Sequence, residues 1–215
     1  SLGSVRVVYH HAMVTLDPHA HNDAVTGTVL GSVFEPLVDH LPGQPFRPAL
    51  AVNWTTPSDT LWRFHLRPGV RFHDGRPVTV EAVVAALRRA RFGAESTLAT
   101  YLEAIRDVRV AGDQGMTLEV ETVEPFPLLL VRLSMVAVVP PDFDPSSPVG
   151  TGPYRWVAGS LRGPVELVRW PGYWGEPPAA GRVEIRFAET EDEIQRLVTS
   201  GQADVIAAVD EGVAR

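Results

Sequence analysis

The side chains best suited to hold a metal are the seven histidines, above all the pairs His10-His11 and His19-x-His21 in one stretch. Imidazole suits zinc, copper and nickel, but a site needs several donors converging. No cysteine or carboxylate stands at ligand spacing beside these pairs, so they read as surface and loop histidines and no metal is expected. The sequence has no cysteine, which excludes disulfides, thiolate nucleophiles and Cys-based zinc sites. Asp17 and Glu35 are the carboxylates to weigh for acid/base work, and each reads better as a turn or helix residue. No serine sits in a nucleophile-elbow pattern. The expectation is a protein that is not an enzyme, with no catalytic residues and no cofactor. Gly150-Thr151-Gly152-Pro153 invites a phosphate-loop reading, yet Arg155 stands where a third glycine is needed and Pro153 lacks a backbone donor, so nucleotide binding is set aside. Trp54, Trp62, Trp156, Trp170 and Trp174 alternate with charged residues and read as core or core-edge positions rather than as a stacking platform.

The 215 residues are 45% hydrophobic, ample for a core of one large or two small domains. A net charge of −7 argues against nucleic acid, and the one basic cluster, Arg88, Arg89 and Arg91, reads as a solvated helix end. No apolar run approaches the 18 residues or so of a membrane span, and no leader peptide is evident, so the segment is expected to be either processed or internal to a longer protein.

The elements that must position these side chains are organised around Leu61–Thr79. Trp62, Phe64 and Leu66 alternate with Arg63, His65 and Arg67, the period of a half-buried strand. Pro68-Gly69 breaks it, Val70 and Phe72 begin a second alternating run, and Asp74-Gly75 suits a tight turn. Thr79 then caps a helix with Val80, Val83, Val84 and Leu87 on one face and Gly93 at its end. Trp62, Phe64, Val83, Val84 and Leu87 are therefore expected in the core. Elsewhere the pattern predicts strands at Val5–Tyr9, Ala51–Trp54, Asp107–Val110, Met116–Thr122, Val136–Val139, Val165–Trp170, Val183–Phe187 and, buried, Val205–Val209. Helices are expected after Asp23, over Ser96–Arg106, up to Leu133, and after the capping box Thr190–Glu193. Ala111–Gly115 reads as a hairpin turn. The Pro- and Ser-rich stretch Asp142–Pro148 reads as a crossing between subdomains.

The run LxFxLRxGVxFHDGxPxTxE, standing as Leu61–Glu81, resembles extracytoplasmic solute-binding protein family 5, the peptide, dipeptide and nickel class serving ABC importers. Further pieces of that pattern follow in order: Leu16-Asp17-Pro18, Phe34-Glu35-Pro36-Leu37-Val38, Pro48-Ala49-Leu50-Ala51 with Trp54, Val149–Tyr154, Tyr173-Trp174-Gly175 and Ser200–Val205. Ala82 departs from the acidic residue usual there. The arginine of the nickel branch has no counterpart near Val136–Pro140. The resemblance implies a mixed α/β fold: one periplasmic-binding-protein-like type II lobe, with residues 1–40 and 145–215 forming a mixed sheet with flanking helices. Residues 41–144 would form a smaller inserted α+β subdomain. The family's second lobe is expected to be absent from this chain, with poor ligand binding as the consequence. The implied function is capture of a peptide or other small solute outside the cytoplasm, lipid-anchored or periplasmic, for delivery to ABC permease subunits. Alternatives are the sensing domain of a transcriptional regulator and a nickel-chelate or haem carrier. The first loop would face the cleft, with His10, His11 and Met13 as ligand contacts.

Overall fold

The computed structural model describes residues 3–112 and 115–207. Along them the chain forms β1 (Ser4–Tyr9), α1 (Ala24–Leu30), β2 (Val38–Asp39), β3 (Arg47–Pro48), β4 (Ala51–Ser58), β5 (Leu61–Leu66), α2 (Val80–Phe92), β6 (Ile105–Val110), β7 (Thr117–Thr122), α3 (Leu129–Leu133), β8 (Tyr154–Ala158), β9 (Val165–Arg169), β10 (Arg182–Phe187), α4 (Glu191–Thr199) and β11 (Val205–Ala207).

Two larger sheets carry the fold. A mixed sheet has the order β11-β1-β10-β9-β8. In it β1 runs parallel to β10, with Val5 opposite Val183, and parallel to β11, with Val7 opposite Val205. Parallel neighbours need a crossover, and α4 supplies the one from β10 to β11. Its N-cap is Thr190, whose hydroxyl accepts from the Glu193 N–H at 3.2 Å. The second sheet is antiparallel, β4-β5-β7-β6, with Phe64 between Trp54 on one side and Leu118 on the other. One face packs under α2, which starts where the Thr79 hydroxyl accepts from the Ala82 N–H and buries Val83, Ala86, Leu87 and Ala90. Phe64, Val83 and Leu87 are fully buried, whereas Trp62 and Val84 lie half-buried at the rim. A single apolar cluster runs from Phe64, Leu87 and Leu118 through Phe34 to Val165, Leu167 and Ile185, so both sheets share one core.

Several sequence expectations need correction. Ser96–Arg106 is not a helix but a series of turns that hands over to β6 at Ile105. Its backbone is drawn sideways: the Thr97 N–H donates to His19 O and its hydroxyl to His21 O, bonds that compete with an i→i−4 ladder. Val70–Phe72 makes only an isolated bridge, Arg71 to Pro77. Val136–Val139 is extended and buried but joins no sheet, because its neighbour is the single strand of backbone at Glu35, to which the Val138 N–H donates at 2.8 Å. The last strand is not buried: Val205 and Ile206 are about half exposed because β11 is the outermost strand of its sheet, and residues 208–209 lie outside the described residues. So do residues 113 and 114 of the expected hairpin turn, although β6 and β7 do pair antiparallel. Strand β8 went unread.

The glycines of Gly150-Thr151-Gly152 are required by close approach rather than by backbone conformation. A Cβ on Gly150 would fall 2.0 Å from Val33 O, and one on Gly152 2.7 Å from Ser32 O. Here the returning chain lies flat on the backbone after α1, with the Gly152 N–H donating to Val33 O. His73, from the turn after β5, clasps the same strand: its Nε2 donates to Gly152 O at 2.9 Å and its Nδ1 accepts from the Gly150 N–H at 3.3 Å.

Candidate functional site

The loop between β1 and α1 is stitched down at its middle and at its far end. At its far end Asp23 caps α1, Oδ1 accepting from the Thr26 N–H at 2.7 Å, while the Thr26 hydroxyl accepts from the Val14 N–H at 3.0 Å. At its middle His19 donates from Nε2 to Ala137 O at 2.8 Å, and Thr97 binds the carbonyls of His19 and His21. These bonds bring three stretches distant in sequence around one open cleft of about 320 Å3: the first loop with α1 (Pro18, His21–Asp23, Gly27, Leu30 and Gly31), the turn at Leu98, and Ser134–Ala137. Phe34 and Pro36 close it from below. The walls are mainly apolar, with polar groups gathered at His21, Asn22 and Asp23, the arrangement of a small-molecule site.

The electrostatics of this wall follow from burial and bonding. Burial alone would raise the Asp23 pKa, but the bonds from Thr26 and from His11 outweigh it and hold the carboxyl below its usual range. Burial lowers His21, so its imidazole is neutral at pH 7, and its Nδ1 is buried without a hydrogen-bond partner. Behind the loop, Asp17 accepts two bonds from Arg89, at 3.0 and 2.5 Å, and Arg89 also donates to His19 Nδ1 at 2.7 Å. Burial would raise Asp17, yet the Arg89 bonds win and its pKa is lowered. His19 is pushed down to about 4, first by burial and further by the Arg89 charge.

A second buried carboxylate, Glu35, stands in the chain between two residues that line the cleft, Phe34 and Pro36. Glu35 accepts from Tyr173 OH at 2.9 Å on Oε1, and from the Thr151 hydroxyl and Trp174 Nε1, each at 2.9 Å, on Oε2. Burial raises its pKa, and the three neutral donors reduce that rise without cancelling it. The Arg67 guanidinium stacks 4.0 Å over the Trp174 ring. Four family-pattern pieces named above, those holding Glu35, Arg67, Thr151 and Tyr173-Trp174, thus meet at one point.

The first-loop residues singled out from the sequence are placed apart. His10 is exposed at the end of β1, its Nδ1 4.0 Å from Glu191. His11 reaches the rim of the cleft through its 2.9 Å contact with Asp23. Met13 is buried in the core, its N–H donating to Leu161 O. The other histidines are held by neighbours as well: His65 Nδ1 pairs with the Thr117 hydroxyl and His40 stacks on Phe46. Sequence reading took Asp23 only as a cap and His21 as a loop histidine, and passed over Asn22, Ser134 and Met135. Their one local signal is polar residues between a turn and a helix start, which any capped loop shows.

Comparison with known proteins places this geometry in context. Residues 45–214 match the family described as bacterial extracellular solute-binding proteins, family 5 Middle. A glutathione-binding protein, GsiB, of Pectobacterium atrosepticum is 31% identical over 173 residues, covering 74% of this chain and 33% of its own length. The HTH-type transcriptional regulator SgrR of Escherichia coli strain K12 is 34% identical over 119 residues, 52% of this chain and 20% of its own length. Among solved structures, the binding protein MoaA of A. tumefaciens R10, in complex with mannopinic acid, superposes with a TM-score of 0.85 at 25% identity, over 97% of this chain and 45% of its own. The chain therefore spans about a third of the first relative's length, and less than half of this structural neighbour's. Among the described residues no helix is long and apolar enough to cross a membrane.

Proposed function

Because this chain belongs to the bacterial extracellular solute-binding proteins of family 5, we propose that it forms one wall of a receptor that captures a peptide or similar small solute outside the cytoplasm and delivers it to an ABC permease. The observation that carries this reading is the cleft between the first loop, α1 and Ser134–Ala137: apolar on most sides, polar at one edge, and held by partly buried hydrogen bonds. The relatives' greater length supports a second lobe that closes over the solute, the closed form being what the permease recognises. Residues 1–40 and 145–215 are the main unit and 41–144 the insert. The support is sheet membership, β1 with β8–β11 in one sheet and β4–β7 in the other. The mechanism is capture and release without catalysis, at the outer face of the membrane, with a lipid anchor or in the periplasm. His10 and His11 would flank the entrance, and Met13 would back the first loop from the core.

The test is titration of the full-length protein by calorimetry with di- to pentapeptides, a nickel–histidine chelate, haem and mannopinic acid. At least one member should bind. Met135→Trp, which fills the cleft from a position already 47% exposed, should weaken that binding at least tenfold without changing the unfolding midpoint. Full affinity in this variant would move the site elsewhere. Residues 1–215 alone should bind the same solute at least tenfold more weakly, since burial between two walls is what holds a small ligand.

A second reading is favoured by the SgrR similarity: the same fold as the sensing domain of a transcriptional regulator. The flanking gene sequence discriminates. A leader with a lipobox cysteine supports transport, and a helix-turn-helix supports regulation.

A further inference from the structure

Resting on the reading of this cleft as the solute site, we infer that the solute presents a protonated amine to Asp23 and lays an apolar body against Leu30, Phe34, Leu98 and Met135. Asp23 is the one residue with a formal charge among those lining the cleft. No arginine lines it, and the sequence contains no lysine. His21 is kept neutral by burial, so this wall offers an incoming carboxylate no cation to pair with. Behind the loop, Asp17 is neutralised by Arg89 at 2.5 Å and adds no net charge of its own.

Asp23 has capacity left. From within the chain it is held by the Thr26 N–H on Oδ1, His11 Nε2 on Oδ2 and the Thr26 hydroxyl, whereas a carboxylate offers about four lone-pair directions. Its side chain keeps 19% of its surface open, and the His11 side chain, at 43%, is free enough to turn into solvent as an ammonium takes its place. An ammonium with up to three N–H donors finds partners there, while a carboxylate meets a fixed negative charge across a largely apolar wall, where repulsion is poorly screened.

The experiment is calorimetric titration of the full-length protein with three probes sharing one isobutyl body: leucinamide, N-acetyl-leucinamide and N-acetyl-leucine. Leucinamide should bind at least tenfold more tightly than the neutral probe, and the anionic probe most weakly. Asp23→Asn keeps a helix cap of equal quality and removes the charge, so α1 is retained. It should weaken leucinamide at least tenfold and leave N-acetyl-leucinamide within twofold. N-acetyl-leucine binding as tightly as leucinamide to the wild-type protein overturns the inference whether or not the variant folds. So does an unchanged leucinamide affinity in Asp23→Asn. If none of the three binds while a member of the broader panel does, the inference falls and the receptor reading stands. If nothing in either set binds, both fall.

Discussion

The regions around Asp17 and Glu35 each bury a carboxylate, yet they treat it in opposite ways. Asp17 is held by a guanidinium, with His19 completing the clasp, and its proton affinity is lowered. Glu35 is held by two hydroxyls and an indole N–H, all neutral, and its proton affinity is raised. The difference shows that saturation with hydrogen bonds is not equivalent to charge neutralisation. Three donors occupy most of the lone-pair directions of Glu35, but without a contacting cation desolvation still decides the sign. Both clasps join segments far apart in the chain, so both set the frame in which the cleft is built.

The comparison breaks most readily at Arg89. Arg89→Ala should destabilise the fold by about 3 kcal/mol, because it strands a buried Asp17. The low end of the buried-pair range applies, since Arg89 itself is 33% exposed. Urea unfolding measures it, and a loss below about 1 kcal/mol would reduce the clasp to a surface ion pair. Glu35→Ala should cost roughly 2 to 3 kcal/mol by leaving the Thr151, Tyr173 and Trp174 donors without their acceptor.

The pH dependences should have opposite signs. His19 falls from 6.5 to about 4 on folding, so the stability it confers is complete above 6.5 and is lost as pH falls toward 4. Between pH 6.5 and 5 that is about 2 kcal/mol, at about 1.4 kcal/mol per pH unit. His19→Gln should flatten this part of the urea-midpoint profile. Glu35, with its folded pKa raised, works the other way: the folded state binds the proton more tightly, and stability is lost as pH rises from the ordinary carboxyl value through the raised one. Glu35→Gln should remove that slope and change stability at pH 7 by less than about 1 kcal/mol. The amide oxygen can still accept from Thr151 and Trp174, and Tyr173 OH can turn to accept from the amide nitrogen. A large loss in that variant would mean that the negative charge itself organises the knot.

The unit from β5 to α2 was legible in the sequence because its determinants are local. Two-residue alternation placed Phe64 and Leu66 inside, Gly69 and Gly75 take the positive φ their turns require, and Thr79 starts the helix. The same holds for α4 with its Thr190 cap. Ser96–Arg106 failed as a helix for a non-local reason: its backbone partners come from the loop at His19 and His21. Strand periodicity likewise placed Val205 inside, while its position at the edge of the sheet left it half exposed. Of the cleft, only the Asp23 cap could be read in advance. Leu98 and Met135 reach it through hydrogen bonds that span more than a hundred residues at Ala137 and more than seventy at Thr97.

What the sequence by itself determined is the set of elements whose residues interact within a turn or a hairpin, and the family whose motifs those elements carry. Tertiary structure alone decided that Glu35, Arg67, Thr151 and Trp174 meet, that Gly150 and Gly152 must be glycine because Val33 lies against them, and that Asp23 faces an apolar wall. The physical reason is that desolvation and close approach depend on what surrounds a group in space. A carboxylate's neighbours along the chain do not say whether a guanidinium, three neutral donors or a solute will face it.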